Sequence, residues 1–286
     1  DLSRLKINFK TIVLATVIYF ITFSFLAILK YRAYNMAMLD LGRMDQSIWS
    51  TLQGRFLGCT FETGNTCRLV AHVELIYALL APLYLIYSNP ETLLIVQTIF
   101  IALGAIPVYR LAHKKLGDNF TPACFGLAYL LYPSLQYGNL LDFHSDMLAT
   151  SLLLFSYYYF DREKWQKFFI FMLLSLLCKE YVSLIFIMLG LYSLFKRKNA
   201  KISLAILAIG TLWFFAAFKV IPGFIKSGKE SMPIANYAHL GTSMSEVIKN
   251  ILAHPVTALG QYINFKNISA MALLLLPLGF LSFFGI

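Results

Sequence analysis

Long apolar stretches recur along the whole chain, and nothing limits its fold more than the need to keep them out of water. Eight are clear: Thr11 to Leu29, Glu91 to Ala112, Phe120 to Tyr137, Met147 to Phe160, Phe168 to Cys178, Tyr181 to Phe195, Ile202 to Pro222 and Ser269 to Ile286. A further, shorter run extends from Val73 to Tyr87. With 59% hydrophobic and 13% charged residues and a mean hydropathy of +0.68, the composition excludes a soluble domain. Inside a bilayer the backbone must satisfy its own polar groups, so the runs read as helices and the fold as an all-α polytopic membrane protein.

A net charge of +10 would point to nucleic acid in a soluble protein. Here the cations cluster between apolar runs, at Arg4/Lys6/Lys10, Arg110/Lys114/Lys115, Arg162/Lys164/Lys167 and Lys196/Arg197/Lys198/Lys201. That is the distribution expected of cytoplasmic loops, and nucleic acid is not an expected partner. No small-residue cleavage site follows Leu29, so the first run is a retained anchor with a cytoplasmic N-terminus. The start at Asp1 and the apolar finish at Ile286 read as cuts from a longer chain. Residues 1–286 are taken as one transmembrane domain with outer loops 30–72, 138–146 and 223–268.

If all four basic clusters are cytoplasmic, an odd number of crossings must separate the first run from the second cluster, yet two runs lie there. The run 73–87 is about 15 residues long, contains Pro82 and falls short of the roughly 20 that a bilayer needs. It is expected not to span. The later runs then alternate, with 168–178 and 181–195 forming a hairpin of about 14 residues a leg, which a locally thinned bilayer would admit. A single kinked helix is the alternative for that region.

This arrangement sends every acidic and histidine cluster to one side: Asp40 and Asp45, His72 and Glu74, Asp142, His144 and Asp146, and Lys179-Glu180. Ionisable groups at membrane depth are costly and mark function. In loop 30–72, Leu41, Met44, Ile48 and Leu52 share one stripe of a helical wheel while Asp40, Arg43, Gln46 and Ser47 fall on other faces, the pattern of a helix lying in the interface. Asp40 could equally be an N-cap. Two imidazoles with three carboxylates suit a divalent cation such as Mg, Mn, Zn or Ca. H-x-E and H-x-D, however, point their side chains about 200° apart on a helix, so joint ligation requires extended or kinked backbone. Cys59 and Cys67, in a loop rich in Gly and Asn, are placed for a disulfide if the loop is outside.

The motifs Leu39-Asp40-Leu41-Gly42, Asp45-Gln46 with Trp49, His72 with Leu79-Leu80-Ala81-Pro82-Leu83-Tyr84, Leu131-Tyr132-Pro133, Asp142-Phe143-His144 and Lys179-Glu180 extend over roughly residues 10–200. Together they resemble a family of predicted membrane proteins, a domain of unknown function related to the GT-C superfamily of integral-membrane glycosyltransferases. The chain departs from the family pattern at Ser145-Asp146, where a longer acid is usual, and at Tyr181, where Asp is usual. The resemblance implies a GT-C-like helix bundle with interface helices in the first outer loop. It also implies transfer of a sugar from a polyprenyl-phosphate carrier to an acceptor on the extracytoplasmic face of a prokaryotic plasma membrane. Asp40, Asp45, Lys179 and Glu180 become the catalytic candidates, with Asp40 as general base in an inverting displacement. Arg43, Gln46, Trp49 and Asp146 become substrate-binding candidates, and His72, Glu74, Asp142 and His144 the metal ligands. A polytopic transporter and a non-catalytic membrane scaffold are the competing readings. Internal repeats and midplane polar groups would favour the first, and dispensable acids the second.

Overall fold

The computed structural model describes residues 8–60, 66–196, 199–221, 239–241, 244–260 and 262–278. Arg4, Lys6, Arg197, Lys198, the start of loop 223–268 and the end of the last apolar run lie outside them. The chain divides into two compact units, one of Asp1–Leu131 and Leu135–Ser227, the other of Tyr132–Ser134 and Gly228–Ile286.

The first unit is an apolar helix bundle, and the protein is an all-α membrane protein. Three described helical stretches are long and apolar enough to cross a bilayer unaided: Phe9–Arg32, Glu91–Leu116 and Ala200–Val220. In element order, α1 is Phe9–Arg32 and α2 Met38–Leu52. A two-stranded hairpin of β1 (Gly58–Cys59) and β2 (Thr66–Cys67) follows. The short α3 (Ile76–Leu80) runs into a 3₁₀ turn, Ala81–Leu85. Next come α4 (Glu91–Leu103), α5 (Ala105–Leu116), α6 (Phe120–Leu130), α7 (Pro133–Leu141) and α8 (Ser145–Asp161). The unit closes with α9 (Trp165–Leu176), α10 (Val182–Phe195) and α11 (Ala200–Phe215), the last continuing through a π turn at Ala216–Val220. Helix α1 packs on α4, α4 on α8, α8 on α9, α5 on α6 and α10 on α11.

Side chains turned outward are apolar, among them Leu14, Ile18, Ile21 and Phe25 on α1 and Leu184, Ile185 and Met188 on α10. Such a surface is stable against lipid tails and not against water. Between α10 and α11 small residues let the backbones meet. A Cβ on Gly190 would stand 2.9 Å from the Leu207 nitrogen, and the Ser193 and Ser203 hydroxyls share a 2.6 Å hydrogen bond. This is how helices associate where no hydrophobic force drives them together.

Long-range contacts define two ends of the bundle. At one, Arg32 closes α1 onto Glu91 of α4 through two hydrogen bonds, 2.7 and 3.0 Å, and Lys30 donates to the Leu140 carbonyl of α7. At the other, Arg110 of α5 lies over the Phe9 ring at the start of α1, and Lys114 pairs with Asp161 at the end of α8 at 2.8 Å. The described members of the basic clusters therefore lie at the second end and the acidic and histidine clusters at the first.

The segment 73–87 is α3 plus a 3₁₀ turn, too short to traverse about 30 Å of hydrocarbon. Helices α9 and α10 form the hairpin rather than one kinked helix. The Phe168 and Phe186 rings meet edge to face with centroids 6.3 Å apart, whereas a continuous helix would hold them about 27 Å apart. The hairpin tip receives the polypeptide leading into α3, since the Ile76 N–H donates to the Leu177 carbonyl at 2.9 Å.

In the second unit, α12 (Met244–Ala253), α13 (Pro255–Gly260) and α14 (Phe265–Leu275) are short, and Leu240, Val247 and Ala258 form a small core. Helices α12 and α13 lie within loop 223–268, whereas α14 runs from its end into the last apolar run.

Sidedness is testable. In a cysteine-free background, Ser88→Cys at the acidic end should react with an impermeant thiol reagent added outside intact cells, and Gln166→Cys at the basic end should not. Labelling of both from the same side would refute the crossing pattern.

Candidate functional site

The turn between α7 and α8 is held from α4. Gln97, fully buried, donates to the Asp142 carbonyl at 2.9 Å, and its Oε1 accepts the His144 N–H at 2.8 Å. A primary amide can donate and accept at once, so one side chain fixes both flanks of the turn. His144 is thereby extended (φ −140°, ψ 135°) just before α8, the non-helical backbone that lets Asp142 and His144, two residues apart, face one point. Across from it, α2 buries Leu41, Met44 and Ile48 as the wheel predicts, and also Ser47, which the wheel puts on another face. Its cap position is Ala37, which makes no side-chain capping bond, so Asp40 lies within the first turn and is not the N-cap.

These elements bring Asp40, Asp142 and His144 together, with one potential ligand atom from each, all within 4.8 Å of one another. Asp142 is only 1% exposed. Its Oδ1 accepts the Phe143 N–H at 2.7 Å, while its Oδ2 is buried without a hydrogen-bond partner. Burial pushes the Asp142 carboxyl above its ordinary value, Asp40 adds to the push, and the Phe143 and Leu41 N–H groups and His144 pull against it. An orphaned buried carboxylate oxygen is costly, and a cation would relieve both the desolvation and the repulsion. Two carboxylates and an imidazole suit Mg, Mn or Zn. The 4.8 Å limit is slightly wider than the roughly 4.2 Å between opposed ligands in a site with 2.1 Å bonds, so the donors need move inward only a little. The residues present fit a divalent cation.

Arg43 reaches Asp40 Oδ1 at 3.3 Å, and its Nε is a buried donor without a partner. Asp40 keeps 40% of its side chain exposed, so an incoming group can reach it. Because Asp40 lies in the first turn of α2 and His144 directly precedes α8, two positive helix ends also face the group.

The four residues read as cation ligands do not form one set. His72 and Glu74 belong to a second, adjoining network at the hairpin tip. Glu74 is fully buried. Its Oε1 accepts from Lys179 Nζ at 2.7 Å, Ser145 Oγ at 2.8 Å and Tyr77 OH at 3.0 Å, and its Oε2 accepts from Arg68 Nε at 3.0 Å. Burial would raise this carboxyl, but the Lys179 and Arg68 charges outweigh it and hold it at about 2. His72 Nδ1 meets Glu180 Oε1 at 2.8 Å, and the Val73 N–H donates to Glu180 Oε2. There too burial is outweighed, chiefly by His72, and the Glu180 carboxyl lies below its ordinary value. Asp146 joins through the Tyr181 hydroxyl and, at 3.9 Å, Lys179. Glu74 is thus already saturated by cations and hydroxyls, and Lys179 and Glu180 are tied into the same scaffold.

Three further expected site residues lie on other faces of α2. Asp45 accepts from the Tyr84 hydroxyl at 2.7 Å, and burial raises its carboxyl despite that bond. Gln46 is bound to Thr60 by its amide and carbonyl and, with Cys59 and Cys67, lines a cleft of about 320 Å³. Trp49 is half-exposed with Arg55 6.0 Å from its ring centre. Cys59 and Cys67 are free thiols. The register pairs Gly58 with Cys67 and Cys59 with Thr66, which turns the two cysteines to opposite faces of the ladder, so the expected disulfide is not formed.

Sequence reasoning missed Arg68, Tyr77 and Gln97. Gln97 had a usable signal, an amide inside an otherwise apolar run. Arg68 and Tyr77 had none, because their partners are brought to them only by the tertiary fold.

The protein is thus a polytopic membrane protein with a buried acidic and histidine cluster able to bind a ligand. No curated protein and no solved structure matches the chain. A family model described as a predicted membrane protein matches residues 30–286, a stretch that takes in both networks and every expected site residue. The chain belongs to the DUF2079 family of predicted membrane proteins.

Proposed function

We propose that the protein is a GT-C-like integral-membrane glycosyltransferase that moves a sugar from a polyprenyl-phosphate carrier to an acceptor on the extracytoplasmic face. The observation that carries this reading is the convergence of Asp40, on α2, with the buried Asp142 and the half-buried His144 at one end of the bundle. A carrier lipid reaches such a site along the bilayer, with its phosphate at the level of the helix ends. In the reaction the acceptor hydroxyl gives its proton to Asp40 as its oxygen bonds the anomeric carbon. The bond from that carbon to the phosphate oxygen breaks, and the electron pair leaves with the carrier phosphate.

Arg43 holds Asp40 Oδ1 and so orients the other oxygen toward the acceptor. Its guanidinium also places a positive charge beside Asp40, which would favour the carrier phosphate. Asp142 and His144 would hold a divalent cation beside Asp40, and Gln97 would keep both ligands in register. When bound, the cation offsets the charge that develops on the departing phosphate. The Glu74 network would serve as the rigid floor on which the α8 end of the site rests.

Protein in nanodiscs should transfer labelled sugar from a polyprenyl-phosphate donor, lose activity in chelator and regain it with Mn²⁺. Mn²⁺ binding, followed by loss of the free-ion spin-resonance signal, should weaken in Asp142→Asn by at least the roughly 10–100-fold that loss of a mere outer partner costs. Transfer that persists in chelator would remove the cation. Failure of transfer with every carrier-linked sugar tried would leave the transporter and scaffold readings.

A further inference from the structure

The basic end of the bundle holds a cavity of about 470 Å³ that the proposed reaction does not use. It lies between α5, the end of α8 and the start of α9. Four cations line it, Arg110, Arg162, Lys164 and Lys167, together with the rings of Tyr158 and Tyr159, and no carboxylate does. Among the described residues no acid pairs with any of these four cations, and Asp161 at the end of α8 is engaged by Lys114. Arg162 sits 5.8 Å from the Tyr158 ring centre and Lys167 5.5 Å from that of Tyr159. The ring faces orient the cations and leave their N–H groups unspent.

Depth and shape say what such a cavity would accept. Helix α8 begins at Ser145, in the acidic end, and its 17 residues rise about 25 Å. That is close to the thickness of the hydrocarbon core, so the cavity opens at headgroup level on the opposite surface. Along α9, Lys167, Ile170 and Leu173 recur at helical spacing and are all exposed, giving one stripe with its charge at the cavity and its apolar part toward the bilayer centre. A soluble anion would use the charges and have no use for the stripe. Charges that only fix topology would need neither a cavity nor an aromatic cradle. We propose that this cavity binds the phosphodiester headgroup of an anionic phospholipid, with its acyl chains along the exposed face of α9. The inference is independent of the chemistry at Asp40.

The full chain, reconstituted in nanodiscs of phosphatidylcholine with phosphatidylglycerol, is extracted into mild detergent and its bound lipid counted by native mass spectrometry. Wild type should retain phosphatidylglycerol in preference to phosphatidylcholine. Arg162→Gln/Lys167→Gln should bind it about twenty-fivefold more weakly, roughly fivefold for each cation removed. Tyr158→Leu/Tyr159→Leu keeps every charge, and so the topology, and should lose part of the preference. It decides the question if the charge variant fails to insert. Glycerol phosphate at millimolar concentration should not displace the lipid. Equal retention by wild type and the aromatic variant would overturn the proposal, and so would undiminished preference in the charge variant. Displacement by glycerol phosphate would overturn it in favour of a soluble phosphate ligand.

Discussion

Asp40→Asn should lower sugar transfer by about 10²–10⁴ while carrier-lipid binding and the melting temperature stay near wild type. The substitution preserves size and leaves an oxygen to accept from Arg43, which now lies 3.3 Å from Asp40. It removes the negative charge and with it the capacity to take a proton. Because Ala37 occupies the cap position, the helix loses no cap. Asp40 also lies among the candidate cation ligands, so the transfer assay is repeated across a Mn²⁺ titration. Loss of a base is not recovered at high Mn²⁺, whereas loss of a ligand is. Full activity in a folded variant would exclude Asp40 from the mechanism.

Glu74→Gln should destabilise the protein by about 3–5 kcal/mol, the usual cost of breaking a buried ion pair from one side, and lower the melting temperature by on the order of 10 °C. The glutamine keeps the shape but leaves Lys179 and Arg68 buried beside a neutral amide. Among the described residues, Lys179 then retains only Asp146 as an ion-pair partner, at 3.9 Å. The pH dependence has a defined sign. The folded Glu74 carboxyl lies at about 2, below its ordinary value of 4.5, so its contribution is fully present above pH 4.5 and is lost as pH falls toward 2. The stability gap between wild type and variant should therefore narrow through that window. A constant gap would mean that the glutamine acts by packing alone. Should Glu74→Gln also abolish transfer while Asp40→Asn does not, the reaction centre would have to be sought at the hairpin tip.

Much of this architecture was legible because the bilayer imposes it. Apolar run lengths and basic clusters dictate which ends share a side, and the stripe of Leu41, Met44 and Ile48 tells which face of α2 is buried. Pro82 and the shortness of 73–87 disclose a segment that turns back. The partition of the polar residues was not legible. His72 and Glu74 have the same composition and spacing as a ligand pair, yet the tip between α9 and α10 delivers Glu180 to one and Lys179 to the other. Only long-range packing decides whether a carboxylate meets a cationic side chain or faces an open space. Asp142 escaped such a partner because Gln97 bonds its backbone and leaves one side-chain oxygen free.

The short legs of the α9–α10 hairpin bear on how the protein is made. Twelve and fourteen residues fall below the roughly 20 that a helix needs to partition into lipid alone, and Lys179-Glu180 at their junction adds a further penalty. The insertion machinery would have to release the two legs as a pair. Glu74 is translated long before Lys179, so until the hairpin arrives Arg68 is, among the described residues, the one cation hydrogen-bonded to it. Docking of the tip then supplies the second, which makes the Glu74 junction a late lock on assembly rather than an early nucleus.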